Sequence, residues 1–458
     1  MKDISTDITV PSESTITLGL VDGDLTVGRN STIKGEGAPP NVNVSGTIAV
    51  GGDCTFECNV SAEGFEGEHG DVTVQGDLEM KGDIEIQRGR LNVERTLKAS
   101  NVDIGKSLVV GKDLEAEKVD VGGSLEVNGN TQVKAIDVGG RFRGVGEVNA
   151  GDIDVGGSLT IESRTEVERI DVGGTVTLYG GHVGRIDVGG SFESKNALQF
   201  DSIDVGGRVK LAGESSGGDI GVGGSCKVDG NLKFGKIDVG GVVQISGSAE
   251  GKSIDVGGTM HVGESLQLSG KLDVGGRAEV EGDLAAKNID VGGSVKANEI
   301  AAENKVSVGG SIVTNAGVKA SYVSIGRRGK VTGPIRADEV LIGRRAHVED
   351  VYGGKITLEG NAQARNLYGE RIHIESGCRI EGEVQYIVNL EAEKGVSFAK
   401  SPVKVASMHK APTTLPPAAA PPQTRTTSAE KKYCQYCGTE NKSDALFCKK
   451  CGKKLAEE

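Results

Sequence analysis

A phrase of six residues, most often I-D-V-G-G-S, recurs fifteen times between Val102 and Gly343, and twelve of the fourteen steps between copies are 17 residues long. The two exceptions are a step of 16 (Ile170 to Ile186) and a step of 18 (Ile254 to Leu272), after which the phrase resumes in phase. So short a period excludes stacked helix pairs, whose repeats need about 33 residues or more, and it matches one turn of a parallel β-helix.

Position one of each copy is β-branched or Leu and position three is Val or Ile, so the two share one face of a strand. Position four is Gly in all fifteen copies and position five in twelve, which predicts a corner where the backbone takes positive φ. Positions seven and nine are again apolar, as in Leu125 and Val127 or Leu159 and Ile161, and give a second inward-facing side. A third, looser side carries Val133, Phe200, Phe234 and Leu268. Three short sides predict a triangular coil of about 17 residues, with like positions stacked at about 4.8 Å. One coil buries four to six apolar side chains at roughly 1.5–3 kcal/mol each, against about 1–2 kcal/mol of backbone ordering for every residue. Only stacked coils are therefore stable, and the fifteen copies predict a rod of about 70 Å.

The 72 Gly, the absence of Trp and only 15 Phe plus Tyr argue against an ordinary globular core in 458 residues. The net charge of −13 is uneven: residues 1–400 hold 42 basic and 60 acidic side chains, and residues 401–458 hold 10 and 5. An acidic rod is a poor ligand for nucleic acid or anionic membrane. Residues 1–20 lack a basic segment followed by an apolar run, so no secretion signal is read there, and no apolar stretch is long enough for a transmembrane helix. Cys54, Cys58, Cys226 and Cys378 are scattered and the other four Cys are clustered at the end, a pattern expected of the reducing cytoplasm.

The chain reads in order as a tail (1–16), irregular starting coils (17–101), regular β-helix (102–400), a Pro/Ala/Thr-rich linker (401–432) and a small Cys-rich unit (433–458). Pro39, Pro40 and the acidic run Glu63 to Gly70 are expected on corners or in a small insertion. After Val323 the wording shifts to S-I-G-R-R-G-K-V-T-G-P-I-R-A, L-I-G-R-R-A-H-V, K-I-T-L-E-G and R-I-H-I-E-S-G-C-R-I-E-G-E-V. From Val323 to Val388 the chain resembles the bactofilin family of polymer-forming cytoskeletal proteins, whose repeats run I-x-x-G-A-x-V-x-G-x-I-x-A. The resemblance implies a right-handed parallel β-helix that assembles end to end into filaments without nucleotide. This chain departs from the family in its longer array, its I-D-V-G-G wording and its C-terminal appendage.

That appendage holds Cys434-x-x-Cys437, ten residues, then Cys448-x-x-Cys451, each pair followed by Gly. Two such knuckles can present four thiolates to one structural Zn²⁺. The wording Y-C-Q-Y-C-G-T-E-N and F-C-K-K-C-G-K-K-L is similar to short zinc ribbons, which points to a module for a protein partner; a redox dithiol is the alternative. With almost no core, such a unit would fold as it binds metal.

Asp occupies position two in eleven copies and predicts an outward carboxylate ladder. Neighbours at about 4.8 Å repel by roughly 1 kcal/mol even in water. Hydrogen bonds from corner N–H groups and from Ser or Thr at position six are expected to offset this, with bound cations as the alternative. No His recurs at a fixed repeat position, so neither a catalytic centre nor a small-molecule substrate is expected. A β-helix acyltransferase would favour 18-residue coils. A rigid monomeric spacer displaying the ribbon is a further reading. For the polymer reading, Ile387, Val396 and Phe398 are the candidate assembly end, because a terminal coil exposes unpaired strand groups and an apolar cross-section.

Overall fold

The computed structural model describes residues 6–407 and the short strands Lys432–Tyr433 and Glu440–Asn441. The chain divides into two units, 1–409 and 410–458. The first is an all-β parallel solenoid of about 23 turns with ~17 residues per turn, and the described residues contain no helix. At the strand spacing of a sheet, so many turns extend over roughly 110 Å.

The repeat phase is also the register. Val102, Val119, Ile136, Ile153 and Ile170 lie over one another in parallel pairing, as do Asp103, Asp120, Asp137, Asp154 and Asp171. Within one turn, Val119 and Val121, then Leu125 and Val127, then Thr131 and Val133 point inward from three successive sides and are buried. The period of two in the sequence thus becomes a core with six inward positions in each turn.

Between residues 200 and 268 large and small residues alternate from turn to turn on the third side, as Phe200, Gly217, Phe234, Gly251 and Leu268. Phe200 pairs with Gly217, where an added Cβ would lie 2.4 Å from the phenyl Cδ2. At Gly251 it would lie 2.3 Å from Cε2 of Phe234. Each ring occupies the volume that the neighbouring glycine leaves open, so the apparent looseness of this side in the sequence is interdigitation.

The corner glycines differ from expectation. None of the paired glycines of the I-D-V-G-G corners has positive φ. Their requirement is close approach: an added Cβ at Gly122 would lie 2.4 Å from the Gly105 carbonyl oxygen, at Gly139 2.3 Å from that of Gly122, and at Gly156 2.3 Å from that of Gly139. Gly140 and Gly157 meet the carbonyls of Gly123 and Gly140 in the same way, at 2.5 and 2.4 Å. The Cα–H groups of one turn therefore sit on the carbonyl oxygens of the turn before, an approach that only glycine allows.

Among non-glycine residues positive φ occurs instead at another type of corner, found at both ends of the solenoid. Glu13, Asn30 and Asp53 adopt it near the start, with φ of 60°, 57° and 54°. Arg328, Arg345, Asn361, Gly377 and Gly395 adopt it near the end, with φ of 60°, 61°, 61°, 76° and 87°. Just after these residues come small or apolar side chains turned to the core, including buried Ser31, Cys54, Ala346, Ala362 and Cys378.

The irregular starting coils are present, and they begin earlier than residue 17. Ile8–Val10 and Thr15–Leu18 already pair with the second turn. Ile8, Leu25, Ile48, Phe65, Ile84 and Val102 stack in that order, so the steps are 17, 23, 17, 19 and 18 residues. The step of 23 accommodates the expected insertion at Pro39 and Pro40, closed by an antiparallel bridge between Glu36 and Asn41. Glu63 to Gly70 is not an insertion: Gly64–His69 is a side of the coil, with Phe65 fully buried and in edge contact with Phe56 at 5.8 Å between ring centroids. Its second inward residue is Gly67, which a hydrophobicity pattern does not register.

The corner contacts give a direct test. Gly139→Ala should destabilise the solenoid by about 1–3 kcal/mol, the usual effect of overpacking. Gly64→Ala, where the nearest atom to an added Cβ is at 3.5 Å, should change little. Thermal melts of the two variants followed by circular dichroism would separate them; equal melting points would remove the carbonyl contact as the reason for glycine.

Candidate functional site

The outward Asp row runs from Asp103 to Asp290 with one interruption at Gly221. It is offset differently from expectation. The corner N–H groups are already committed along the axis, as in Gly122 to the Ile104 carbonyl and Gly139 to that of Val121, both 2.9 Å. At four of the positions the partner is a basic side chain two residues earlier on the same strand face. Lys118 lies 3.5 Å from Asp120, Arg169 3.1 Å from Asp171 and Arg185 3.7 Å from Asp187, while Lys271 bonds Asp273. Lys305 of the following turn reaches Asp290 at 3.2 Å. Burial, then the charges of Asp137 and Asp171, hold the Asp154 carboxyl above its ordinary value, with Arg169 offsetting part of the effect. Asp103 is raised for similar reasons, by burial and then by Asp120 and Glu85.

The four scattered cysteines are buried free thiols. Burial pushes Cys226 up to about 12, and burial with the Glu57 charge pushes Cys58 up to about 11. Cys54 and Cys378 are raised by the same cause, and their thiols donate to the carbonyls of Gly28 and Glu359 at 3.3 and 3.2 Å. They are core residues rather than nucleophiles or half a metal site.

His261, Glu279 and Glu281 bring three potential ligand atoms within 4.8 Å of one another. The Lys296 ammonium already lies among the two carboxylates, 2.7 Å from Glu279 and 3.2 Å from Glu281, and its hydrogen bond holds Glu279 below the ordinary carboxylate value. The cluster is thus a partly neutralised surface network. Near the C-terminal end, Tyr352 and Tyr368 stack at 4.8 Å with Arg336 over Tyr352 at 5.7 Å, and Arg365 grips Asp350 with two hydrogen bonds. The repeated V-Y-G-G and L-Y-G-E, 16 residues apart, are the sequence signal for this stack.

Of the candidate assembly residues, Val396 and Phe398 lie on the last turn, half-buried against the core, and Phe398 stacks over Ile380. Ile387 does not belong to that end row. The register shifts between Gly369 and Arg371, which face Tyr386 and Asn389, and Ile387 lies in the resulting bulge. Leu390, stacked over Ile372, is the corresponding end residue.

In the second unit, Lys432 pairs with Asn441 and Tyr433 with Glu440 in an antiparallel hairpin that brackets the first Cys pair in sequence. Cys434, Cys437, Cys448 and Cys451 lie outside the described residues. Residues 433–455 match the zinc-ribbon domain family, and this span contains all four cysteines. The donor set of four potential thiolates fits zinc. No curated protein and no solved structure matches the chain. No helix among the described residues is long and apolar enough to cross a membrane.

The raised Asp154 sets a pH-dependent expectation. Because its folded-state pKa lies above the unfolded value, its contribution to stability is fully present below the ordinary Asp pKa of about 4 and is lost as pH rises through the folded value. Asp154→Asn should therefore stabilise the solenoid at pH 7, by at most about 1 kcal/mol for so exposed a position. The gain should vanish near pH 3, as read from paired melts at the two pH values. A variant no more stable than wild type at pH 7 would show that Arg169 cancels the repulsion.

Proposed function

We propose that this chain is a non-enzymatic structural rod of the cytoplasm that polymerises end to end in the manner of bactofilins, with its zinc ribbon docking a protein partner. The observation that carries the reading is the last turn, where Leu390, Val396 and Phe398 remain half-buried, as Ile8, Ile16 and Leu18 do in the first, at the ends of an otherwise buried apolar core. A terminal turn also presents a row of strand N–H and C=O groups, and pairing with another chain satisfies both needs. The long acidic flank opposes side-by-side packing of rods and favours linear growth. No nucleotide is called for, since burial at the junction supplies the driving force. The buried, high-pKa thiols agree with a reducing compartment.

Electron microscopy of purified protein should show filaments, whereas a monomeric spacer would give single rods of one length. Phe398→Asp should shorten the assemblies while leaving the strand signal in circular dichroism intact. Filaments of unchanged length would place the junction elsewhere.

The ribbon gives a second expectation. One Zn²⁺ per chain should be found by metal analysis, and Cys448→Ser should release it without shifting the melting of the solenoid. A solenoid that melted on chelation would show that the two units depend on each other.

A further inference from the structure

Three successive corners near the C-terminal end of the solenoid each hold a carboxylate. Between the first and second sides, a backbone N–H of one turn donates to a Glu side chain of the next: Arg344 to Glu359 at 3.0 Å, Gly360 to Glu375 at 2.8 Å and Ser376 to Glu393 at 2.9 Å. The strand register fixes this pattern. Gly343, Glu359, Glu375 and Glu393 form one row along the corner, and Arg327, Arg344, Gly360 and Ser376 form the adjoining one. The Arg327 corner is therefore the exception. The residue in place to supply its carboxylate is Gly343, and the N–H of Arg327 has no acceptor among the described residues. No side chain fits there, since an added Cβ at Gly343 would lie 2.6 Å from the Ile325 carbonyl oxygen.

The charge around that N–H is positive. Pairing of Ile325 with Ile342 before the corner and of Lys330 with His347 after it sets Arg327 beside Arg344 and Arg328 beside Arg345 in successive turns. All four arginines are exposed, and none of their side chains forms an ion pair or a hydrogen bond among the described residues. Their surroundings do not compensate. The Asp row ends at Asp290, and its column continues through Ser307, Ser324 and Leu341. Residues 327–345 hold six Arg and Lys against two acidic side chains, in a solenoid that is acidic as a whole. Of those two, Glu339 is already bound to Lys355 at 2.6 Å.

From this arrangement we infer that the double-arginine corner is a docking site for an acidic segment of a partner protein, one carboxylate of which seats on the Arg327 N–H as Glu359 seats on that of Arg344. Like charges stacked in adjacent turns repel, and an incoming carboxylate relieves the repulsion. Guanidinium forks match carboxylate oxygens in geometry and bind them through charge-assisted hydrogen bonds. Carboxylate is also the group that the same corner holds in the three following turns, which selects an acidic peptide as the partner chemistry. The acidic flank repels such a segment along the Asp row and so favours its arrival at this corner. The site lies on the solenoid, apart from the zinc ribbon, and needs no polymer, so it stands or falls independently of end-to-end assembly.

Binding of a fluorescein-labelled hexaglutamate peptide to the full-length protein, read by anisotropy at low salt, tests the site. Arg327→Gln combined with Arg344→Gln should weaken binding by about tenfold or more, as for the loss of a hydrogen bond to a charged group. The charge-matched pair Arg141→Gln and Arg208→Gln, at exposed positions of the regular array, should stay within roughly twofold of wild type. Placing Lys449→Gln and Lys453→Gln in all three proteins lowers the ribbon's own attraction for the peptide. Equal loss in the two arginine pairs, no loss in either, or no binding by the parent protein would overturn the corner as the site. Phosphatidylglycerol vesicles that bind the parent and not the Arg327→Gln, Arg344→Gln protein, with hexaglutamate bound by neither, would overturn the acidic peptide in favour of a membrane. Circular dichroism of each variant checks that its coil is intact.

Discussion

The contact on which the solenoid depends is the seat of each corner glycine on the carbonyl oxygen of the preceding turn. At Gly139 the oxygen occupies the place where any side chain would begin. The approach holds the first and second sides in one register through the regular array, and the N–H groups of the same glycines bond along the axis beside it. Irregularity is thereby confined to the third side. The single-residue deletion between Ile170 and Ile186 appears as a register shift between Ile161 and Arg164, past the second side. The insertion between Ile254 and Leu272 follows the pairing of Gly251 with Leu268. One rigid corner and one tolerant side together explain how the repeat phase survives both.

How much of this was legible follows from what a one-dimensional pattern carries. The inward positions, the parallel stacking and the ribbon were readable, because identical phrases at a fixed spacing place identical side chains in one column. The cause of the corner glycines was not, because positive φ and close approach both select glycine in a sequence, and only coordinates separate them. The first turn was missed because T-I-T-L and I-T-V offer few apolar residues to a window scan. Glu63 to Gly70 was misjudged because one of its two inward positions is Gly67. The basic partners of the Asp row were in plain view at Lys118, Arg169 and Arg185, two residues before each Asp. A strand's period of two puts them on the same face, and that was the argument to apply.

Electrostatics and packing act on different parts of this molecule. Along the flanks each ion pair is exposed and worth little, about 0.2–1 kcal/mol, so the Asp row is tolerated rather than strongly stabilised. Raised carboxyls at Asp103 and Asp154 record burial first and the residual repulsion of their acidic neighbours second. Inside, the apolar columns carry the stability, and they are continuous from Val10 to Val384. Because each turn touches only its neighbours, stability accumulates turn by turn, and the two outermost turns have a neighbour on one side only.

That asymmetry gives the two kinds of corner a physical meaning. A Gly–Gly corner demands glycine or an equally close backbone on both of its faces, so it tolerates no variation in the turn stacked against it. The positive-φ corners meet their neighbours less uniformly: an added Cβ would have no atom nearer than 3.9 Å at Gly395, but would lie 2.7 Å from Asn361 Oδ1 at Gly377 and 2.0 Å from the His69 carbonyl oxygen at Gly52. They carry Arg, Asn and Glu where the central corners carry only Gly.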